Sequence, residues 1–98
     1  MGLQESRKKI DSIDDQIVTL LNRRAAEVKR IGRLKAASGI PLVDAKREAE
    51  IYRRVAAENF GQIDNDGLMR IFEQIVAESR RIQLQSTEGI AKVVEVVR

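Results

Sequence analysis

Residues 3–37, LQESRKKIDSIDDQIVTLLNRRAAEVKRIGRLKAA, contain no proline and a single glycine, and read as one unbroken helix. At about 1.5 Å per residue that helix spans roughly 50 Å. A compact domain of this length has a radius of gyration of only about 13 Å, so one chain cannot enclose such a helix. The stretch therefore predicts an all-α fold built around one very long helix that a second copy of the chain helps to cover.

The apolar residues of this stretch recur at helical spacing: Leu3, Ile10, Ile13, Ile17, Leu20, Leu21, Val28, Ile31 and Leu34. Charges interrupt the stripe. In heptad register Leu3, Ile10, Ile17, Arg24 and Ile31 share one position, and Arg7, Asp14, Leu21, Val28 and Lys35 share the adjacent one. Arg24 and Lys35 stand eleven residues apart. At about 100° per residue this brings them to within roughly 20° of each other, about 16 Å apart along the axis. Two long side chains can close that gap onto one small anion. Arg7 lies about 100° round from Arg24 by the same count and serves a different surface. The bland alternative is that all three are snorkelling cations, their stems covering apolar surface and their heads in water.

After Lys35 the segment AASGIPLVD breaks the helix. Gly39 suits a C-cap, and Pro41 biases Ile40 away from the helical region. Asp44 is an N-cap candidate for a second helix over about 45–59, with Ala45, Ile51, Tyr52, Val55 and Ala56 on its inner face. Gly61 and the turn at 62–66 end it, and Asp64 or Asp66 caps a third helix over about 66–85. That helix carries Leu68, Ile71, Phe72, Ile75, Val76 and Ile82 as its stripe, with Ser79 and Gln83 on the same stripe at i and i+4. An inward hydroxyl and amide need partners, since leaving each unsatisfied costs about 1 to 3 kcal/mol. Those partners are either neighbouring helices or a ligand. Residues 86–98, rich in valine, read as a C-terminal tail, either a short helix or a strand, or as the opening of a linker.

A chain of 98 residues, 43% hydrophobic but only 3% aromatic, is one domain with a modest core of its own. No apolar run is long enough to cross a membrane and none resembles a signal peptide, so a cytoplasmic protein is expected. Cysteine and histidine are both absent. That removes disulfides, thiolate nucleophiles, imidazole bases and the usual zinc ligands, so no metal site is expected. The net charge of +3 does not point to nucleic acid, because the bases are interleaved with acids and stacking groups are nearly missing. The inward polar residues instead describe a cavity with several cations, the carboxylates of Asp44 and Glu48, a hydroxyl and an amide. Such a set can hold a dianion in a strained shape and stabilise developing charge without attacking it.

Residues 3–85 resemble the all-helical chorismate mutases. The resemblance rests on a first helix like SRKKIDSIDDQIVTLLNRRAAEVKRIGRLK, on D-x-x-R-E as Asp44, Arg47 and Glu48, and on E-S-R-x-x-Q as Glu78, Ser79, Arg80 and Gln83. It implies an intertwined homodimer of three helices per chain, with residues 1–85 as the functional domain, acting on chorismate without a cofactor. It also implies roles. Arg24 and Arg47 pair with the substrate carboxylates, joined by Arg7 from the partner chain. Lys35 and Gln83 hydrogen-bond the ether oxygen, and Asp44, Glu48 and Ser79 contact the ring hydroxyl or a carboxylate. Two alternatives remain open from sequence. One is an isochorismate pyruvate lyase on the same scaffold; the other is a non-catalytic helical regulatory or dimerisation module fused to another shikimate-pathway enzyme.

Overall fold

In the computed structural model the chain forms three helices in order, α1 (Gly2–Ser38), α2 (Ala45–Glu58) and α3 (Asn65–Val97). The structure describes the backbone of residues 2–97 and the side chains of residues 2–86; α3 runs past the end near 85 expected from the sequence, and the side chains of the expected tail or linker beyond residue 86 lie outside the described residues. No strand occurs among the described residues, and no described helix is long and apolar enough to cross a membrane.

The helix ends follow from local chemistry. Gly39 adopts φ +68°, a left-handed conformation that costs glycine little. This turns the chain so that the Ile40 amide donates to the Lys35 carbonyl at 2.9 Å and the Gly39 amide to the Ala36 carbonyl at 3.4 Å. These two bonds are the Schellman pattern that satisfies the last carbonyls of a helix. Asp44 caps α2 by accepting from the Arg47 amide at 3.0 Å, and Asp64 caps α3 by accepting from the Gly67 amide at 2.6 Å. Of the two aspartates expected to cap the third helix, Asp64 is the one that does so. Asn59 ties the turn between α2 and α3, its amide donating to the Ile63 carbonyl and to Asn65 Oδ1, both at 2.8 Å.

Both α1 and α2 pack on α3. The core is small: Val28 of α1, Ile51 and Val55 of α2 and Val76 of α3 are the buried hydrophobic residues. Gly32 of α1 is buried as well, and a Cβ built there would lie 3.3 Å from Gln83 Cα, so α1 and α3 approach closely at this point because position 32 has no side chain. The chain is elongated, with extents of 66 × 27 × 15 Å and a radius of gyration of 17.6 Å. That exceeds the roughly 13 Å of a compact domain of this length. Within one chain the stripe of the first half of α1 is uncovered, with Leu3 63%, Ile10 55% and Ile17 47% exposed. Ile71, expected on the inner stripe of the third helix, is also half exposed at 49%, because neither α1 nor α2 covers that side of α3.

Candidate active site

The N-terminal end of α2 meets the second half of α1 and the middle of α3 around a cavity of about 260 Å³. It is lined by Arg24, Val28, Ile31 and Lys35 of α1, Leu42 of the first loop, Asp44, Arg47, Glu48 and Ile51 at the start of α2, and Val76, Ser79, Arg80 and Gln83 of α3. Its size lies just below the usual range for small-ligand pockets. Each helix supplies its polar groups at helical spacing: Asp44, Arg47 and Glu48 at i, i+3 and i+4, Ser79 and Gln83 at i and i+4, and Arg24 and Lys35 three turns apart.

The polar contacts divide these groups into committed and available ones. Ser79 Oγ donates to the Ile75 carbonyl at 2.9 Å and accepts from Arg24 Nη1, which aims the Arg24 fork along the cavity wall. Lys35 Nζ donates to the Leu42 carbonyl at 3.0 Å. An ammonium has three donors, so two remain. Glu48 is held by Arg80, whose Nε donates to Oε2 at 2.9 Å while Nη2 donates to Oε1. Arg47 makes an exposed ion pair with Glu50 at 3.6 Å. The Gln83 amide makes no hydrogen bond among the described residues.

The cavity is electrostatically ready for an anion. Burial, and then the neighbouring charges of Arg47 and Arg54, press the Arg24 guanidinium below its ordinary value. The repulsion among Arg24, Lys35 and Arg47, which all line the cavity, is relieved by a bound carboxylate. Glu48 is the counterexample: the hydrogen bond from Arg80 is the largest influence, and it holds the carboxyl below the usual range against burial and the nearby Asp44. The cavity therefore keeps one ionised acceptor among its donors.

A larger, more open groove of about 450 Å³ lies on the far side of Arg24 and Ser79, lined by Leu21, Ala25, Ile75 and Ile82 among others. Its walls are mostly apolar, and apart from Arg24, which it shares with the smaller cavity, its charged members Glu78 and Arg81 pair with each other at 2.9 Å. The chemistry points to the smaller cavity.

Of the residues expected from sequence, Arg24, Lys35, Asp44, Arg47, Glu48, Ser79 and Gln83 all line this cavity. Arg7 does not. It stands seventeen residues before Arg24 on the same straight helix, about 25 Å away along the axis, so no side-chain conformation brings it to its own chain's cavity. Arg80, to which the E-S-R-x-x-Q motif assigns no role, lines the cavity and holds Glu48. Its adjacency to Ser79 was the available signal. Gly32 carries no such signal, since no pattern within its own helix reports that Gln83 packs against it.

The model of the family described as chorismate mutase type II matches residues 6–84. The chain belongs to that family. Its helices coincide with those of the chorismate mutase of Helicobacter pylori solved in complex with prephenate, with a TM-score of 0.80 at 26% identity over 88% of this chain and 93% of that one. The chorismate mutase of Methanocaldococcus jannaschii is 34% identical over 88% of each chain. The bifunctional chorismate mutase/prephenate dehydratase of Aquifex aeolicus is 37% identical over 76% of this chain but only 22% of its own length. The family fold thus stands both alone and as about a fifth of a larger enzyme.

Proposed function

We propose that this chain is a chorismate mutase, converting chorismate to prephenate by an intramolecular Claisen rearrangement, with residues 1–85 as its functional domain. The observation that carries the reading is the cavity itself. Two arginine forks, a lysine and an unpaired amide converge there with an ionised carboxylate, in a fold shared with a relative that holds prephenate.

The rearrangement breaks the ether bond between the ring and the enolpyruvyl oxygen and forms a carbon–carbon bond to the ring in one step. No proton, electron or group leaves the molecule, so the reaction asks for shape and charge rather than for a nucleophile or cofactor. Arg24 and Arg47 grip the two carboxylates bidentately, folding the enolpyruvyl arm over the ring into a reactive conformer. As the ether bond lengthens, its oxygen gains negative charge. Lys35 and Gln83 donate to that oxygen, and these are the interactions that strengthen most in the transition state. Asp44, Glu48 and Ser79 receive the ring hydroxyl or orient a carboxylate. The hydrogen bond from Arg24 to Ser79 and the one from Lys35 to the Leu42 carbonyl hold both cations in place before the substrate arrives.

The active form in this reading is an intertwined homodimer in which α1 pairs with its counterpart and Arg7 from the partner chain completes the clamp. The exposed stripe on α1 and the distance of Arg7 from its own cavity support it. Relatives fused to other enzymes of the pathway make a fused or separate pathway enzyme a further partner. The family match and the relatives named above do not favour the lyase or the inert module. The test is to add chorismate and follow loss of its enolpyruvyl absorbance, identifying the product. Prephenate is expected. An unchanged substrate, or lyase activity releasing salicylate from isochorismate without prephenate formation, overturns the reading.

A further inference from the structure

Arg80 lies on α3 between Ser79 and Arg81, one position outside the inward stripe, and its side chain is 55% exposed. It nevertheless turns back across the cavity edge to α2, where both of its donors meet both oxygens of Glu48. Glu48 by contrast is only 17% exposed in its side chain. The exposed cation and the enclosed carboxylate therefore form a bidentate pair linking two helices at the cavity, unlike the local pairs Arg47–Glu50 and Arg81–Glu78, which stay on one helix surface.

We propose that Arg80 is a positioning residue of this site: its fork fixes the Glu48 carboxylate in one orientation, as an ionised acceptor facing the ligand's hydroxyl. The inference rests on the mutase reading given above. A carboxylate has about four lone-pair sites; Arg80 occupies one on each oxygen, which leaves acceptor sites for a ligand in the cavity that Glu48 lines. Without Arg80 the Glu48 side chain regains rotamer freedom. Its remaining neighbours then decide its charge: Lys35 and Arg24 from α1, and Asp44 and Arg47 from its own end of α2. Asp44 and burial both oppose ionisation. A protonated Glu48 still makes a hydrogen bond, but it no longer offers the negative acceptor that a donating hydroxyl prefers.

The sign follows directly. Glu48 is held below its ordinary range in the folded protein, so its ionised form is secure at neutral pH and is lost only as pH falls through that lowered value. Removing Arg80 raises the value and moves the loss to higher pH. The experiment compares wild type with Arg80→Met, which keeps an apolar stem of similar length, and with Arg80→Lys, which keeps charge without the fork. Circular dichroism verifies folding of each. The ratio of variant to wild-type kcat/KM is measured against pH, which cancels the titration of substrate carboxylates, and the Glu48 carboxyl carbon is followed by NMR, assigned through Glu48→Gln.

For Arg80→Met we expect about a tenfold loss of kcat/KM at neutral pH, carried mainly by KM, as befits a screened charge-assisted contact. We also expect a further fall in the ratio at acid pH and an upward shift of the Glu48 titration, with Arg80→Lys restoring the titration more fully than the KM. In a Glu48→Gln background Arg80→Met should leave the pH profile unchanged. A uniform loss at every pH with the Glu48 titration unmoved would mean that Arg80 merely braces α2 on α3, and would overturn the inference. Failure of the underlying activity is read separately, from wild type alone: a wild-type protein that does not turn over chorismate removes the reading before any variant is compared.

Discussion

Lys35 of α1 and Gln83 of α3 both line the cavity, and both side chains carry hydrogen-bond donors. Lys35→Ala should keep the fold, since the only hydrogen bond its side chain makes among the described residues is to the Leu42 carbonyl, and should lose at least about a hundredfold in kcat, the usual cost of deleting one donor at a developing oxyanion. A folded variant with near wild-type turnover would remove the proposed role. Gln83→Glu asks the same question of pH. The substituted carboxyl donates only when protonated; burial would raise its pKa and Lys35 would lower it. Activity of this variant should therefore fall as pH rises, while wild type stays flatter in kcat/KM over the same range. Parallel profiles would show that Gln83 does not donate to the reacting oxygen. Gly32 governs where Gln83 sits. Alanine there would gain about 1 kcal/mol of helix propensity, but its Cβ would stand 3.3 Å from Gln83 Cα, closer than side chains ordinarily pack, and the neighbour is backbone. The two effects oppose each other in stability and not in catalysis. Gly32→Ala should melt within a few degrees of wild type yet lose turnover as Gln83 is displaced, a combination that calorimetry and steady-state kinetics distinguish from simple unfolding.

At the scale of the element, helix ends and site chemistry coincide. Asp44 lines the cavity and caps α2 at once, accepting from the Arg47 amide. Two substitutions separate these roles. Asp44→Asn retains a capping oxygen and should keep stability while lowering activity, whereas Asp44→Ala loses the cap as well, at about 1 kcal/mol, with a visible drop in Tm. Equal activity in wild type and Asp44→Asn would confine this residue to capping. The same coincidence explains what was legible in the sequence. Gly39, Pro41 and Asp44 announce the break between α1 and α2 within a few residues, because caps and breakers act locally. The inward polar residues were legible as faults in an apolar period: Arg24 and Lys35 on one helix, Ser79 and Gln83 on another. The Glu48–Arg80 pair and the contact of Gly32 with Gln83 were not, since each depends on how far one helix slides along another. Helical periodicity gives direction around an axis and says nothing of that slide.

At the scale of the molecule, a core of Val28, Ile51, Val55 and Val76 must support helices that extend over 66 Å. Burying one such side chain is worth about 1.5 to 3 kcal/mol, so the half-exposed Leu3, Ile10, Ile13, Ile17 and Leu20 leave several kcal/mol of apolar burial unrealised within one chain. In the proposed dimer, pairing of α1 with a second α1 would recover it and would carry Arg7 toward a cavity it cannot reach in its own chain. Thermal stability should therefore rise with protein concentration, and Ile17→Asp should abolish the dimer and most helicity together, as sedimentation and circular dichroism would report. The sharper test is complementation. Arg7→Ala and Arg24→Ala chains should each be nearly inactive alone. In a mixed dimer, the site built on the Arg7→Ala chain keeps its own Arg24 and receives an intact Arg7 from the other chain, while the second site lacks both. Random exchange of equal amounts makes about half of the dimers mixed, each with one good site of two, so activity should return to about a quarter of wild type under two-fold symmetry. No recovery after subunit exchange verified by mass would overturn the shared site and, because Arg7 cannot reach its own chain's cavity, would leave Arg7 outside the active site altogether.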